Sequence, residues 1–331
     1  MKAVIPVAGA GTNLRPHTYT QPKPLIPVAG KPIIAFIIDS LIAAGIHDFV
    51  FVIGYLGEKI RLYVETHYPG IRVEWVQQEN RLGLGHAIWT ARKSLEDTDE
   101  IVIMLGDTIV DADLGNLIAS PYSCLGIKKV SDPRLFGVVE LDDNGFVARV
   151  AEKPSIPKSN LAMVGLYKIR EVQELIESIE DHIRAERRTR NEYQLTDALM
   201  SMISSGIRFT TLEVYNWFDC GQKDILLETN AILLDRQQAS DPHVVDTQNT
   251  IIIPPVSIGT NCQIRNSIIG PHVTVGSDSQ IDSAIIKDSI IGSFTSIQEV
   301  VLYHSIVGHD AAIKGLRQSL NIGDNTQIDM G

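Results

Sequence analysis

Cysteine and long apolar runs are both scarce in this chain of 331 residues. The three cysteines, Cys124, Cys220 and Cys262, lie far apart without the spacing of metal ligands, so neither a disulfide framework nor a zinc cluster is expected. No apolar stretch approaches the ~20 residues that span a bilayer, and the N-terminal one is too short for a signal peptide. These absences predict a cytoplasmic protein without a membrane partner.

Positive charge is also in short supply. The chain has 29 lysines and arginines against 40 aspartates and glutamates, which gives a formal net charge of −11. This balance disfavours nucleic acid and anionic membranes as partners. A phosphate-binding site would therefore have to be a local positive cluster, which Arg15, Lys23 and Lys31 could form.

The first of two predicted domains covers residues 1–240. Strand-like and helix-like segments alternate at its start, and residues 124–168 are rich in β patterns, so we expect an α/β fold with a Rossmann-like mixed sheet. Ligands of such sheets bind beyond the carboxyl ends of the strands. The loops at 8–32 and 77–85 and the pair Gly106-Asp107 should therefore share one edge.

The second predicted domain covers residues 250–331 and has a different period. Pairs such as Ile269-Gly270 and Ile291-Gly292 recur with branched residues every five or six positions, through Ile322-Gly323 to Ile328. This hexapeptide repeat resembles the left-handed parallel β-helix, in which each branched residue points inward. A run of antiparallel strands would not explain so regular a step. We expect this domain to mediate regulation or the assembly of a homo-oligomer, whether dimer, trimer or tetramer.

A glycine-containing loop follows the first apolar strand, at residues 3–7. Backbone N–H groups around Gly9 and Gly11 could close on phosphate oxygens. A dinucleotide-binding fingerprint would need glycine where Leu14 stands, and a P-loop would need a Gly-Lys-Ser/Thr run that is missing here. The loop therefore indicates a nucleoside triphosphate site of another type.

The residues around these glycines are more specific. Thr12, Leu14 and Pro16 precede Pro22-Lys23, Leu25 and Lys31-Pro32. The pattern resembles the signature loop of the sugar-phosphate nucleotidylyltransferases, G-x-G-T-R-L-x-P-x-T-x-x-x-P-K-x-L-x-P, and most of all its glucose-1-phosphate thymidylyl- and uridylyltransferase branch. The resemblance implies a GT-A-like fold and a nucleotide bound by Ala8, Gly9, Ala10, Gly11, Thr12, Asn13, Gln78 and Gly83.

One residue of the loop departs from the family pattern: Asn13 stands where the family has an arginine. We expect Arg15 to take over its role, because side chains alternate in an extended segment. Together with Lys23 and the loop amides, Arg15 would then hold the triphosphate.

Two aspartates match the metal-binding positions of the family. Asp107 follows an apolar strand, and Asp219 stands in Trp217-Phe218-Asp219-Cys220-Gly221, which matches a W-x-D-x-G motif. Taken alone, an aspartate after a strand is more often a helix cap or turn residue. The resemblance implies that both bind Mg²⁺, a hard cation that prefers oxygen ligands.

A second set of residues is expected to bind the sugar phosphate. In the family, the motif Glu152-Lys153-Pro154 places lysine on the phosphate and glutamate on sugar hydroxyls, although a solvated strand end would also carry such charges. Further sugar-site residues implied by the resemblance are Gly137, Asn160, Gly165, Tyr167 and Arg190.

The loop from Gln78 to Gly83 matches the base-reading loop of the family. A glutamine amide offers a donor and an acceptor side by side, which can pair with the imide edge of uracil or thymine. This favours a pyrimidine nucleotide and leaves UTP and dTTP as equal candidates.

No nucleophile with an adjacent base is evident, which agrees with direct transfer. The resemblance implies that a sugar 1-phosphate, with glucose 1-phosphate favoured, attacks the α-phosphate of the triphosphate in line, assisted by Mg²⁺. The products would be a nucleotide sugar and pyrophosphate. An alternative is a catalytically weak regulatory subunit of the same fold that senses nucleotide sugars. A bifunctional acyltransferase is disfavoured, because the β-helix has too few coils.

Overall fold

A computed structural model describes residues 1–237 and 246–315. The chain divides into two compact units. The first comprises Met1–Pro27 and Lys31–Leu226, and the second comprises Val28–Gly30 together with the described residues from Leu227 onward. Within these described ranges, the helices are all too short or too polar to cross a membrane.

Residues 1–237 contain thirteen strands and seven α-helices. The strands are β1 (Lys2–Val7), β2 (Pro27–Val28), β3 (Lys31–Pro32), β4 (Asp48–Ile53), β5 (Arg72–Gln77), β6 (Ile101–Met104), β7 (Thr108–Asp111), β8 (Ser123–Lys129), β9 (Gly137–Leu141), β10 (Val147–Glu152), β11 (Leu161–Ile169), β12 (Phe209–Glu213) and β13 (Asn216–Asp219). The helices are α1 (Ile33–Ala43), α2 (Gly57–His67), α3 (Leu84–Thr90), α4 (Leu114–Ala119), α5 (Val172–Arg184), α6 (Leu195–Ser204) and α7 (Lys223–Arg236).

A mixed sheet forms the centre of the first unit. Its strand order is β10-β9-β11-β6-β1-β4-β5, and β8 pairs with both β11 and β12. Strands β6, β1, β4 and β5 are parallel, whereas β11 is antiparallel to β6. Strand β4 is buried at every residue after Asp48, as expected of a strand between two parallel neighbours with both faces covered. The predicted α/β fold with a mixed sheet is thus confirmed.

Helices α3, α5 and α6 supply the core of the first unit. Ala87, Leu175 and Leu199 from these helices share one buried cluster with Val4 and Ile103 of the sheet. This burial removes the apolar faces of the helices from water and stabilises the strands whose ends carry the candidate site.

Strands β7 and β13 were not expected from the sequence. They pair antiparallel with each other in a separate two-stranded sheet, with Asp219 opposite Thr108. Each has four residues, too few for a period to be recognised, and their partners come from distant parts of the chain. This small sheet positions Asp107 and Asp219, the two predicted metal ligands.

The second unit contains short strands in three parallel sheets. The strands are β14 (Asp246–Gln248), β15 (Ile251–Ile252), β16 (Val256–Ile258), β17 (Gln263–Arg265), β18 (Ile268–Ile269), β19 (Val273–Val275), β20 (Gln280–Asp282), β21 (Ile285–Lys287), β22 (Ile290–Ile291), β23 (Ser296–Gln298), β24 (Val301–Tyr303), β25 (Ile306–Val307) and β26 (Ala312–Lys314). The sheets are β14-β17-β20-β23-β26, β15-β18-β21-β24 and β16-β19-β22-β25.

The register of these sheets stacks one branched residue on the next. Ile264 is paired with Ile281, and Ile281 with Ile297, and all three side chains are buried. Corner residues such as Asn266 and Asp288 adopt a positive φ, which asparagine and aspartate tolerate better than most residues. The predicted parallel β-helix is therefore confirmed, while the repeat residues Ile322, Gly323 and Ile328 lie outside the described ranges.

A buried asparagine on α7 connects three parts of the second unit. The Oδ1 of Asn230 accepts hydrogen bonds from the Ala29 N–H at 2.9 Å and from the Thr274 hydroxyl at 2.6 Å. Its Nδ2 donates to the His272 carbonyl at 3.1 Å. Since a buried amide is costly to leave unpaired, these bonds fix the short segment between β2 and β3 within this unit.

Candidate active site

The β7–β13 pair brings two distant carboxylates together. Asp107 immediately precedes β7 and Asp219 ends β13, and the Cys220 N–H donates to the Asp107 carbonyl at 3.2 Å. The Lys23 ammonium lies 2.7 Å from Asp107 Oδ2 and 3.9 Å from Asp219 Oδ1. Three of the charged residues that the sequence singled out thus form one cluster.

Electrostatics in this cluster favour a further cation. Burial raises the pKa of Asp219, the nearby Asp107 carboxylate raises it further, and Lys23 opposes both effects. Two carboxylates against one ammonium leave the group negative when all are ionised.

The donor set of the cluster fits Mg²⁺. Among the described residues no group of three or more His, Cys, Asp or Glu side chains could hold a metal. Mg²⁺, however, is commonly held by one or two carboxylates, with waters and substrate phosphates completing its octahedron. Asp107 and Asp219 supply these two carboxylates.

A cavity of about 440 Å³ opens beside the cluster and is called the nucleotide cavity below. The loop after β1, the start of α3 and the end of β6 form its walls. Predicted residues that line it are Ala8, Gly9, Gly11, Thr12, Asn13, Lys23, Gln78, Gly83 and Asp107. Ala10 is not among its lining residues.

Gly11 shapes the loop at the mouth of this cavity. It has φ +61°, and a Cβ there would lie 3.0 Å from Thr18 Cγ2 and 3.1 Å from Lys23 Cβ. The Thr18 hydroxyl donates to the Gly11 carbonyl at 2.7 Å. Gly11 therefore lets the loop pass close to the base of Lys23, where a larger residue would be strained.

Gln78 is held by a neighbour whose role the sequence did not indicate. Its buried Nε2 lies 2.9 Å from His86 Nδ1 and 3.3 Å from the Gly83 carbonyl. Burial lowers the pKa of His86, with Arg188 and Arg92 adding to the effect, so a neutral ring can accept the amide hydrogen. His86 thus fixes the orientation of the glutamine that faces the nucleotide cavity.

A second cavity of about 200 Å³, called the acceptor cavity below, lies on the other side of Asp107. Its lining includes the predicted residues Gly137, Glu152, Lys153, Gly165, Tyr167, Asp107 and Asp219. Phe136 and Trp217 add an aromatic wall, with their rings in an edge-to-face contact at 4.6 Å. Leu84, Leu105 and Asp107 line both cavities, so the two share a wall.

Lys153 is placed in the acceptor cavity by its backbone. Its φ is +42°, which is rare for lysine, and two hydrogen bonds support it. Its N–H donates to the Phe136 carbonyl at 3.0 Å, and Arg190 Nη2 donates to its carbonyl at 2.9 Å. Arg190, a predicted sugar-phosphate ligand that does not line the cavity, thus holds the main chain that presents Lys153.

Glu152 lies beside Lys153 in a less polar setting. Burial raises its pKa, and the Lys153 ammonium and the Thr196 hydroxyl oppose this rise. Thr196 donates to Glu152 Oε2 at 3.1 Å. Asn160 is not among the cavity's lining residues, and its carbonyl accepts from the Val130 N–H at 3.0 Å.

Arg15, the arginine expected to hold the triphosphate, lies outside the lining of the nucleotide cavity. The Arg15 guanidinium lies over the Tyr19 ring at 4.9 Å and is not among the residues lining the nucleotide cavity. Arg81, which sequence reasoning missed, does line it. The sequence indicated Arg81 only by its position between Gln78 and Gly83, because an exposed arginine in a loop is not part of a helical or strand-like repeat.

Comparisons with known proteins identify the family of this chain. The family model described as "Nucleotidyl transferase" matches residues 2–236, and the chain belongs to this family. A glucose-1-phosphate thymidylyltransferase of Streptomyces antibioticus is 34% identical over 346 residues, covering 99% of this chain and 93% of the relative. The bifunctional protein GlmU of Methanocaldococcus jannaschii is 37% identical over 238 residues, covering 71% of this chain and 55% of the relative.

Solved structures show the same fold over about 71% of the chain. A UDP-glucose pyrophosphorylase complexed with UDP-glucose has a TM-score of 0.62 at 23% identity, covering 71% of this chain and 99% of that one. A UDP-glucose pyrophosphorylase from Acinetobacter baumanii has a TM-score of 0.60 at 25% identity, covering 71% and 94%. The family match and the thymidylyltransferase relatives confirm the resemblance to the sugar-phosphate nucleotidylyltransferases that the signature loop indicated.

Proposed function

We propose that this protein joins a pyrimidine nucleoside triphosphate, dTTP or UTP, to a sugar 1-phosphate, with glucose 1-phosphate favoured, and releases pyrophosphate. The observation that carries the proposal is the cluster of Asp107, Asp219 and Lys23 at the wall shared by two cavities. One cavity has the signature loop and the other has the Glu152-Lys153 pair, so each substrate has a separate place. The relatives named for thymidylyl transfer to glucose 1-phosphate support this choice.

The proposed reaction is a direct displacement. An oxygen of the sugar 1-phosphate forms a bond to the α-phosphorus, the bond from that phosphorus to the bridging oxygen breaks, and pyrophosphate leaves with that electron pair. The attacking group is already an anion and needs no general base. Catalysis then consists of holding two polyanions together and stabilising the charge that develops.

Each charged residue has a place in this scheme. Lys153, fixed through its backbone, would hold the acceptor phosphate as a point charge, and Lys23 would neutralise charge on the triphosphate. Asp107 and Asp219 would hold Mg²⁺, which when bound supplies Lewis-acid stabilisation of the phosphate oxygens. Glu152, buried beside Lys153, would accept hydrogen bonds from sugar hydroxyls.

Base recognition is assigned to Gln78. The side chain is buried, faces the nucleotide cavity and is oriented by His86. A preset amide discriminates well between bases, because a mismatched partner would leave a buried polar group unpaired. We infer a pyrimidine with an imide edge, which both uracil and thymine present.

The deciding experiment is a panel of nucleoside triphosphates against several sugar 1-phosphates, followed by pyrophosphate release in the presence of Mg²⁺. We expect dTTP or UTP with glucose 1-phosphate to give the highest kcat/KM. Binding of nucleotide sugars without pyrophosphate release from any pair would instead favour the regulatory subunit.

We further propose that the β-helix mediates a homo-oligomer, that the domains divide as residues 1–240 and 250–331, and that the protein acts in the cytoplasm. The β-helix presents the outward side chains Ile285, Val301 and Tyr303, each more than 40% exposed, which supports burial against another copy. Sedimentation of the full chain at micromolar concentration tests the assembly. A monomer there would contradict it.

A further inference from the structure

We propose that Arg81 binds the triphosphate of the nucleotide and thereby supplies the positive charge that Asn13 does not. The inference rests on the proposed function, because it names the group that holds one of the proposed substrates. It assigns a binding role to a residue outside the signature loop.

The backbone around Arg81 is fixed. The Tyr193 N–H donates to the Leu82 carbonyl at 2.7 Å, and the Gly85 N–H donates to the Tyr193 carbonyl at 2.8 Å. Between them, Gly83 has φ +110°, and a Cβ there would lie 2.7 Å from the Tyr193 carbonyl oxygen. The loop therefore cannot shift without breaking these contacts, and Arg81, which lies on it, is among the residues lining the nucleotide cavity.

The charge of the cavity lining gives Arg81 its importance. Two cations, Lys23 and Arg81, and two carboxylates, Asp107 and Glu192, line the cavity, so their formal charges cancel. Lys23 is already engaged by Asp107 at 2.7 Å. Within residues 1–237 and 246–315, no carboxylate forms an ion pair with Arg81. Arg81 is thus the lining cation whose charge is not already paired with a carboxylate of the described residues.

Glu192 increases the need for this cation. It lines the same cavity, and its carboxylate accepts a hydrogen bond from the Gln194 amide at 3.1 Å. A carboxylate there would repel a triphosphate unless a nearby positive charge offset it. Guanidinium suits this position, because its planar donors bind two phosphate oxygens at once and it stays charged at all relevant pH values.

The competing candidate is Arg15. Its guanidinium lies over the Tyr19 ring, and the residue does not line the nucleotide cavity. Asn13 does line the cavity but carries no charge. The geometry therefore favours an exchange of roles. Asn13 gives the cavity lining a neutral side chain, and Arg81 gives it the positive charge.

Nucleotide binding without sugar phosphate tests the assignment. Calorimetric titrations in Mg²⁺ buffer would compare dTTP with dTMP, and UTP with UMP, for the wild-type chain, Arg81→Ala and Arg81→Lys. Loss of a charge-assisted phosphate contact should weaken triphosphate binding about 10- to 100-fold in Arg81→Ala and leave monophosphate binding within about threefold. The lysine variant should retain part of the affinity.

Two further variants sharpen the result. Arg149→Ala, an exposed arginine on β10 outside the lining of both cavities, is the matched control and should bind all four nucleotides as the wild type does. Adding Asn13→Arg to Arg81→Ala should restore at least tenfold of the lost triphosphate affinity. A double variant that stays as weak as Arg81→Ala would contradict the exchange of roles.

The proposal is overturned if Arg81→Ala weakens mono- and triphosphate binding equally, if it weakens neither, or if Arg15→Ala produces the triphosphate-specific loss instead. A wild-type chain with no preference for triphosphate would also overturn it. These outcomes are separate from the proposed function. A chain with Arg81-dependent triphosphate binding that releases no pyrophosphate with any sugar 1-phosphate would refute the transferase and leave the Arg81 assignment standing.

Discussion

The nucleotide cavity and the acceptor cavity meet at Asp107 but are built from different material. Small residues and exposed main chain, such as Gly9 and Gly11, line much of the first. Large side chains, among them Phe136, Trp217 and Tyr167, line the second. Main-chain N–H groups suit phosphates, which every nucleotide presents, whereas side-chain shape suits the choice of one sugar. Specificity for the acceptor should therefore be easier to alter than the grip on phosphate.

The largest effect is expected at Asp107, because this residue lines both cavities and cannot be assigned to one of them. Asp107→Asn should lower kcat by about 10³-fold with every substrate pair, because charge stabilisation at the reacting phosphate is usually the largest single catalytic contribution. Steady-state kinetics of pyrophosphate release measure it. Asp143→Asn, in an exposed hairpin turn, is the control, and an equal loss in both variants would point to misfolding instead.

Lys153→Ala should distinguish the roles of the two cavities. Because Lys153 lines the acceptor cavity and not the nucleotide cavity, KM for the sugar 1-phosphate should rise about 10- to 100-fold, with KM for the nucleotide nearly unchanged. Initial rates with each substrate varied in turn give both constants. The control is Lys129→Ala, an exposed lysine at the end of β8. A rise confined to the nucleotide KM would reverse the assignment of the cavities.

Gln78→Ala should alter only the selectivity for the nucleotide. Loss of the amide should reduce the kcat/KM ratio of UTP to CTP about tenfold, because these bases differ at the edge that the amide reads. Gln77→Ala, exposed at the end of β5, controls for the general effect of losing a glutamine. A ratio that stays constant would remove base reading from Gln78.

Glu152→Gln should have the smallest of these effects, a change in the free energy of unfolding. The raised pKa of Glu152 means that its ionised form costs folding free energy above its unfolded pKa, and this cost is absent at lower pH. The glutamine variant should therefore match the wild type near pH 4 and gain up to about 1 kcal/mol as the pH rises to 7. Thermal unfolding across this range measures it, and a gain largest at acid pH would contradict the sign.

The sequence predicted what local patterns specify. The β-helix period and the strand before the Gly9–Gly11 loop were readable, because burial imposes a period on branched residues. The closeness of Asp107 and Asp219 came from the family resemblance alone, since β7 and β13 are too short to predict. Arg81 and the Gln78–His86 contact were not predicted for another reason. The segment between Gln78 and His86 is held against the distant main chain of Tyr193, which no local pattern encodes.

The ammonium of Lys23 serves as a built-in counter-ion for the Asp107–Asp219 pair. A protein purified in the presence of a metal chelator should for that reason stay folded around this site. An incoming cation would then replace the Lys23 ammonium beside the two carboxylates. Removing that amine, as in Lys23→Met, should make the unfolding temperature newly sensitive to salt, because only dissolved ions would then shield the two acids from each other.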